Sequence, residues 1–427
     1  MMLSLNCYFL PSTSTSTSTS SLLRALFSMP KLPTLAAVLA AALAAPGAAA
    51  AFAPLAPLAL APVPRTFASP HAASASASAV PDPVPDPTFV RPDTEGEGGI
   101  TEQACTEAAS RMRRVMVPVP PEVAPGGRVG ISYVHWEADP VARERLGNSF
   151  PLPLLLVHGF DSSCLEYRRL GPRLAALGLD AYAVDLLGWG YTQLDGVGTF
   201  SAEAKVAALG GFWEVVGNSV PVCVAGASLG GAAAIEYAAA NPDVVRGTVL
   251  IDAQGFVDGV GPMALLPVPL ARLGVGVLKS VPLRSSANTM SYADPGTYAT
   301  EDALRVGRMH CLRDGWEDAL VSFMRSGGFT PSAQVARLYY PSLVLWGRQD
   351  TILEKEFAQR FLDVLPDAEL RWVEDCGHVP HLEQPDRTAG LVLDFLTGEK
   401  FAGNRERDAG PGAGAGADEE DAPFLTK

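Results

Sequence analysis

No aspartate or glutamate precedes Asp82, although the 427-residue chain carries a formal net charge of −14. The acid-free stretch therefore differs in kind from the rest. No Cys-x-x-Cys pair occurs among the six cysteines, at positions 7, 105, 164, 223, 311 and 376. That spacing disfavours a zinc site or a dithiol redox motif and suits free thiols in a reducing compartment, with Cys376 a candidate for reactivity. No cluster of Lys and Arg lines a candidate helix, and the pI is about 4.9, so a nucleic-acid partner is not expected. No metal-ligating constellation is visible either, and neither a metal nor a cofactor is expected. The apolar run Leu35 to Ala45 falls short of the roughly 20 residues of a membrane span.

What is present is enough for one large globular domain: 48% of residues are hydrophobic and 18% charged. Residues 1–95 read as a targeting presequence and disordered region. A Ser/Thr repeat covers Ser12 to Ser21, and Met29-Pro30-Lys31 precedes the short apolar run. Small residues then lead to Ala50-Ala51-Phe52-Ala53-Pro54. A basic start, a short apolar stretch and an Ala-x-Ala site make a secretory signal, and the Ala/Ser/Pro-rich, acid-free segment behind it suits a transit peptide. The Ala-Phe junction resembles that of bipartite plastid presequences in algae with secondary plastids. A plastid destination is expected, and Met29 is then a candidate alternative start to Met1. At the other end, residues 403–427 combine a Gly/Ala run with Asp418-Glu419-Glu420-Asp421 and read as a disordered acidic tail.

Between these ends, short apolar runs alternate with helical spacing. Val115–Val117 and Gly130–Val134 read as antiparallel strands. Leu154–Val157, Ala181–Val184, Val222–Ala225, Thr248–Ile251, Leu343–Trp346 and Leu370–Val373 read as further strands, with helices between them. The pattern predicts an α/β fold with a mostly parallel sheet covered on both faces. Alternation stops between Gln254 and Leu338, where prolines break several short apolar stretches.

The sharpest motif is Gly226-Ala227-Ser228-Leu229-Gly230, between an apolar strand and an Ala-rich helix. A strand turning abruptly into a helix at Gly-x-Ser-x-Gly is a nucleophile elbow. It exposes the Ser228 hydroxyl and aims the Leu229 N–H where an oxyanion would form. Asp350 follows the run Leu343–Trp346, and His378 lies in Cys376-Gly377-His378. His158-Gly159-Phe160 ends the strand Leu154–Val157. A serine hydroxyl needs an adjacent base, for which His378 is the candidate and His381 a rival. Asp350 would orient the imidazole, with Asp252 as a rival acid.

The order Ser228, Asp350, His378 resembles that of the α/β-hydrolase superfamily over roughly residues 112–397. The resemblance implies Ser228 as nucleophile, His378 as base, and Asp350 as the acid of the triad. It implies Phe160 N–H as the second oxyanion donor and residues 254–338 as an inserted helical cap. His158, Asp185 and Trp189 are expected to be scaffold. Arg308, His310, Arg313 and Trp316 either contact substrate or form a solvated helix face. Relatives with an Asp nucleophile are disfavoured by Ser228. The expected function is a cofactor-free serine hydrolase of esterase or lipase type, acting on a small-molecule ester with an apolar portion. Lipid, chlorophyll-derivative and small-ester substrates stay open, as does peripheral membrane contact. Carbon–carbon bond hydrolysis of the meta-cleavage type, and a non-catalytic binding protein of the same fold, are the alternatives.

Overall fold

A computed structural model describes residues 83–94, 99–147 and 152–398. The expected presequence signals and the acidic tail lie outside the described residues. An eight-stranded sheet runs in the order β1-β2-β4-β3-β5-β6-β7-β8. Its strands are β1 (Arg113–Pro118), β2 (Arg128–Trp136), β3 (Leu154–Val157), β4 (Ala181–Val184), β5 (Val222–Ala227), β6 (Val245–Ile251), β7 (Ser342–Gly347) and β8 (Ala368–Val373). β1 and β2 are antiparallel to their neighbours, and the remaining pairs are parallel.

Burial explains the composition of the strands. All four residues of β3 and all six of β5 and of β7 are buried. A strand covered on both faces gains from an unbroken apolar run, whereas alternation would put polar groups into a helix layer. The covering helices are α1 (Gln103–Arg111), α2 (Pro140–Arg145), α3 (Leu170–Ala176), α4 (Ala202–Val216) and α5 (Leu229–Ala240). Ser201 caps α4 by accepting from Ala204 N–H at 3.2 Å.

The packed chain starts ahead of residue 112, where the resemblance places it. Asp86 pairs with Arg114 at 2.7 Å, and Pro85 bridges to Val115 on the edge strand. That segment covers part of a sheet edge that would otherwise present unpaired backbone groups.

Between β6 and β7 the chain runs through a helical cap. It holds α6 (Val268–Leu278), α7 (Val281–Ser291), α8 (Pro295–Tyr298), α9 (Glu301–Met309), α10 (Trp316–Arg325) and α11 (Ser332–Val335). The fold closes with α12 (Glu356–Val364), α13 (Pro380–Glu383) and α14 (Pro385–Thr397).

Register decides where chemistry can occur. Val157 lies opposite both Val184 and Gly226, and Ala227 opposite Ile251. The residues that leave these strands, His158, Asp185, Ser228 and Asp252, therefore emerge side by side. They stand at the carboxyl ends of parallel strands, where sheets of this kind bind ligands.

Candidate active site

Ser228 sits at φ 51°, ψ −123° between β5 and α5. A non-glycine residue there is strained, by about 1–3 kcal/mol. The strain is held by close packing at the flanking glycines. A Cβ on Gly226 would fall 2.3 Å from the Gly230 carbonyl oxygen, and one on Gly230 would fall 2.2 Å from that of Val157. The Ser228 carbonyl accepts from Gly231 N–H at 2.9 Å and Gln254 N–H at 2.8 Å. Ser228 is also the one residue of the elbow, 226–230, that is not buried. Leu229 opens α5, and N–H groups in a first helical turn lack an intrahelical acceptor. The elbow packs on the His158-Gly159-Phe160 turn, since a Cβ on Gly159 would sit 3.5 Å from Ser228 Cβ.

The turn is fixed by His158, which is fully buried. Its Nδ1 lies 2.8 Å from the Gly159 carbonyl, and its Nε2 accepts from Leu186 N–H at 3.0 Å. One nitrogen donates and the other accepts, so the ring is neutral, and burial holds its pKa below the usual histidine value. His158 is a scaffold residue, as is Asp185. The Asp185 carboxylate accepts from Ser132 Oγ, Cys164 N–H at 2.6 Å and Tyr191 N–H at 2.9 Å.

Asp350 and His378 come together. His378 Nδ1 and Asp350 Oδ2 are 2.9 Å apart, both residues buried. Asp350 Oδ1 accepts from Ile352 N–H at 2.7 Å and Leu353 N–H at 3.2 Å. Burial by itself would raise the Asp350 pKa, but the charge and hydrogen bond of His378, with the Ile352 N–H, hold it below the usual aspartate value. The two loops are stitched to each other: Gln349 N–H donates to Cys376 O, and Cys376 N–H donates to Gln349 Oε1, each at 2.9 Å.

Asp252 lies alongside. Its Oδ1 accepts from Gly347 N–H at 2.9 Å, and its Oδ2 has no N–H or O–H partner. One oxygen or nitrogen from each of Asp252, Asp350 and His378 falls within 4.8 Å of the others. By donor type the trio could hold a cation, but His378 Nδ1 and both Asp350 oxygens are already engaged. Burial first, then the neighbouring Asp350, pushes the Asp252 pKa well above the usual carboxylate range.

His381 does not join the dyad. Its Nε2 is 3.0 Å from Glu166 Oε1, and Glu166 also accepts from Gly159 N–H at 3.2 Å. Cys376 is buried, and burial raises its thiol pKa, so it is not a poised thiolate. The five cysteines among the described residues are all free and buried.

Of the four cap residues singled out in the sequence, His310 and Trp316 are buried and Arg308 and Arg313 partly exposed, and all four bond to protein acceptors. His310 Nε2 and Trp316 Nε1 reach Asp161 Oδ1 at 3.0 and 2.7 Å. Arg313 donates to Gly190 O at 2.7 Å and Thr192 O at 2.9 Å, and Arg308 donates to Lys279 O at 3.0 Å. Three of them bolt the cap to core loops, and Arg308 ties two cap segments together. Sequence reasoning missed Asp161, the core partner that His310 and Trp316 share, as well as Glu166 and Glu383. An acid directly after His-Gly-Phe was the available signal for Asp161.

The chain is 36% identical over 249 residues to the alpha/beta hydrolase domain-containing protein VTE7 of Arabidopsis thaliana, covering 58% of this chain and 75% of that protein. It is 27% identical over 251 residues to Lipase 1 of Psychrobacter immobilis, covering 58% and 78%. It is 27% identical over 258 residues to 2-hydroxy-6-oxononadienedioate/2-hydroxy-6-oxononatrienedioate hydrolase 1 of Dechloromonas aromatica, covering 57% and 86%. A thermophilic esterase from Thermogutta terrifontis shares the fold, with a TM-score of 0.54 at 21% identity over 66% of this chain and 97% of that one. The model of the alpha/beta hydrolase family matches residues 154–391, more than half the sequence, and the chain belongs to that family.

Proposed function

We propose that the protein is a serine hydrolase that cleaves a carboxylic ester with an apolar portion through an acyl-enzyme. Ser228 attacks the carbonyl, His378 takes its proton and returns it to the leaving alcohol, and water clears the acyl group. The backbone N–H groups of Leu229 and Phe160 receive the oxyanion. The 2.9 Å contact of His378 Nδ1 with ionised Asp350 carries this reading, because it leaves Nε2 as the basic nitrogen. Similarity to Lipase 1 supports an ester substrate.

Similarity to a dienedioate hydrolase favours a second reading, carbon–carbon bond hydrolysis. A doubly anionic substrate of that kind calls for free cations near the site. Arg284, Arg308 and Arg313 are instead committed to protein acceptors, which favours an uncharged ester.

A fluorophosphonate probe tests the nucleophile. The wild-type protein should label at one site, and Ser228→Ala should lose both labelling and turnover with its fold unchanged. Equal labelling of the alanine variant would remove Ser228 from the mechanism. A panel of neutral esters against dienoates then separates the two readings.

We infer in addition that the cap meets a lipid surface peripherally. Leu265 is 87% and Leu273 68% exposed, and Leu270, Val277 and Val281 are exposed beside them. The three basic side chains of residues 259–293 are each paired with an acid, Arg272 with Asp318, Lys279 with Glu317 and Arg284 with Asp161, so the apolar side chains alone carry the contact. An exposed apolar cluster suits shallow burial at a bilayer interface. No helix among the described residues is long and apolar enough to cross one. Flotation with phosphatidylcholine vesicles should carry the wild type and leave Leu265→Asp/Leu273→Asp behind. A wild type that stays unbound, or that uses this face to dimerise, contradicts the inference. The plastid destination is proposed on the presequence alone, and a fluorescent fusion of residues 29–95 tests it.

A further inference from the structure

Asp161 is an unusual residue to find one position beyond the proposed oxyanion donor Phe160. It is 1% exposed and sits at φ 47°. Burial would raise its pKa, yet the charge of Arg284 and the hydrogen bond of His310 hold it well below the usual carboxylate range. An ionised carboxylate next to a developing oxyanion should oppose the reaction, because like charges in a dry site repel strongly.

All of its side-chain donors come from the cap. Arg284 in α7 donates one N–H to Asp161 Oδ2 and another to its backbone carbonyl at 3.1 Å. His310 Nε2 and Trp316 Nε1 share Oδ1, at 3.0 and 2.7 Å. Because a carboxylate only accepts, His310 must carry its proton on Nε2. Lys205 is also close to Asp161, but burial pushes its pKa well below the usual lysine value; its Nζ lies 3.8 Å from the centre of the Trp189 ring and donates to Leu187 O.

The same helix reaches the histidine loop. Seven residues after Arg284, at the end of α7, the Ser291 carbonyl accepts from His378 N–H at 2.8 Å. Seven residues of α-helix span roughly 10 Å. Just beyond, Ala293 and Asp294 N–H donate to Glu383 at 3.1 and 2.9 Å, and the same carboxylate accepts from Gly377 N–H at 2.7 Å. One cap helix thus holds the oxyanion turn at its start and the catalytic-base loop at its end.

We propose that Asp161 is a positioning residue that makes the oxyanion site depend on a seated cap. With α7 in place, Arg284 neutralises Asp161 and fixes the turn carrying the Phe160 N–H. With α7 lifted, the carboxylate is left bare beside the oxyanion and the His378 loop loses its Ser291 anchor. The inference rests on the serine-hydrolase reading above and adds to it a coupling between cap and chemistry.

Hydrolysis of p-nitrophenyl butyrate by the full chain tests both at separate points. If the wild type neither turns over the ester nor labels with fluorophosphonate, the serine-hydrolase reading fails and takes the coupling with it. If the wild type is active, Arg284→Met should lower kcat by roughly 10- to 100-fold, short of or equal to the loss of a direct oxyanion donor. KM should change by less than about threefold, since the substrate is not what Arg284 holds. Affinity for a trifluoromethyl ketone, which forms a tetrahedral oxyanion on the serine, should fall in parallel with kcat. Adding Asp161→Asn to Arg284→Met should recover about tenfold in kcat by deleting the uncompensated charge. Arg284→Lys, which keeps the charge, should stay within about fivefold of wild type and covers the case in which Arg284→Met does not fold. An Arg284→Met enzyme with normal kcat, a double variant no faster than the single one, or an Arg284→Lys enzyme as slow as a fully inactive one would overturn the proposal.

Discussion

Asp252 and Asp350 leave adjacent strands, β6 and β7, and bring their carboxyl groups together with His378 in one buried cluster. Two carboxylates in such a place cannot both be ionised. Donors decide which one keeps its charge. Asp350 has His378 and the N–H groups of Ile352 and Leu353, whereas Asp252 has only the Gly347 N–H. The proton belongs on Asp252, whose Oδ2 can then donate to Asp350. The two acids that could each have completed the triad in the sequence thus have opposite protonation states.

The first prediction is kinetic. Asp350→Asn should lower kcat by about 10⁴-fold, the loss found when a triad acid elsewhere is amidated. The amide turns the imidazole to the wrong tautomer. Asp252→Asn should cost under tenfold, because an amide N–H can replace the carboxyl O–H as a donor to Asp350. A reversal of these two effects would place the working acid after β6.

A second prediction concerns stability. Asp252 has a folded pKa raised above its unfolded value of about 3.8 by burial and by Asp350. The native state therefore binds the extra proton, and stability falls as pH rises from 3.8 towards the folded pKa. The slope is about 1.4 kcal/mol per pH unit in that window. Asp252→Asn removes the term. Its unfolding free energy in urea should exceed that of the wild type at pH 7 and approach it at pH 4. Equal gains at both pH values would mean that Asp252 is ionised in the native protein.

The sheet and the dyad were legible because each depends on local sequence. β3, β5 and β7 are unbroken apolar runs, and Ser228, Asp350 and His378 lie just beyond such runs or in a glycine-marked turn. The cap was legible as an interruption only. Its internal helices are 4 to 11 residues long, three of them with a proline in the first turn, and periodicity gives little over so few turns. Asp161 was illegible for a different reason. Its partners Arg284, His310 and Trp316 lie 123, 149 and 155 residues away, and no local pattern pairs them. α1 and the strip around Asp86 were missed because they carry few apolar residues: α1 buries only Cys105, Ala108 and Ala109.

Glu166 supplies the acid limb. Burial opposes its charge, but His381 and its neighbours hold its pKa down to about 2, against an ordinary 4.5. A depressed carboxylate stabilises the fold fully above its unfolded pKa. That contribution is lost as pH falls from 4.5 through 2. The difference is worth about 3 kcal/mol. Glu166→Gln should be less stable than wild type at pH 7 and close to it near pH 2, with Gly159 N–H losing its charged acceptor. Parallel stability curves for the two proteins would exclude an ionised Glu166.

The elbow makes a claim about backbone approach that a pair of glycines can test. Gly230→Ala would place a methyl 2.2 Å from the Val157 carbonyl oxygen and 2.4 Å from that of His158. Ordinary contact begins more than 1 Å further out, so α5 or the His158 turn must retreat by about that much. That retreat separates Ser228 and Leu229 N–H from the Phe160 N–H, and a 1 Å misplacement costs roughly 100-fold in rate. Gly210→Ala is the matched control. It lies mid-helix in α4, where an added Cβ meets nothing within 4 Å. Relief of glycine's backbone entropy should stabilise that variant by up to about 1 kcal/mol with activity unchanged. Gly230→Ala should lose turnover of p-nitrophenyl butyrate even where circular dichroism shows a folded chain. Were Gly230→Ala to keep full activity, the elbow and the oxyanion turn could not be packed as tightly as the contact at Val157 requires.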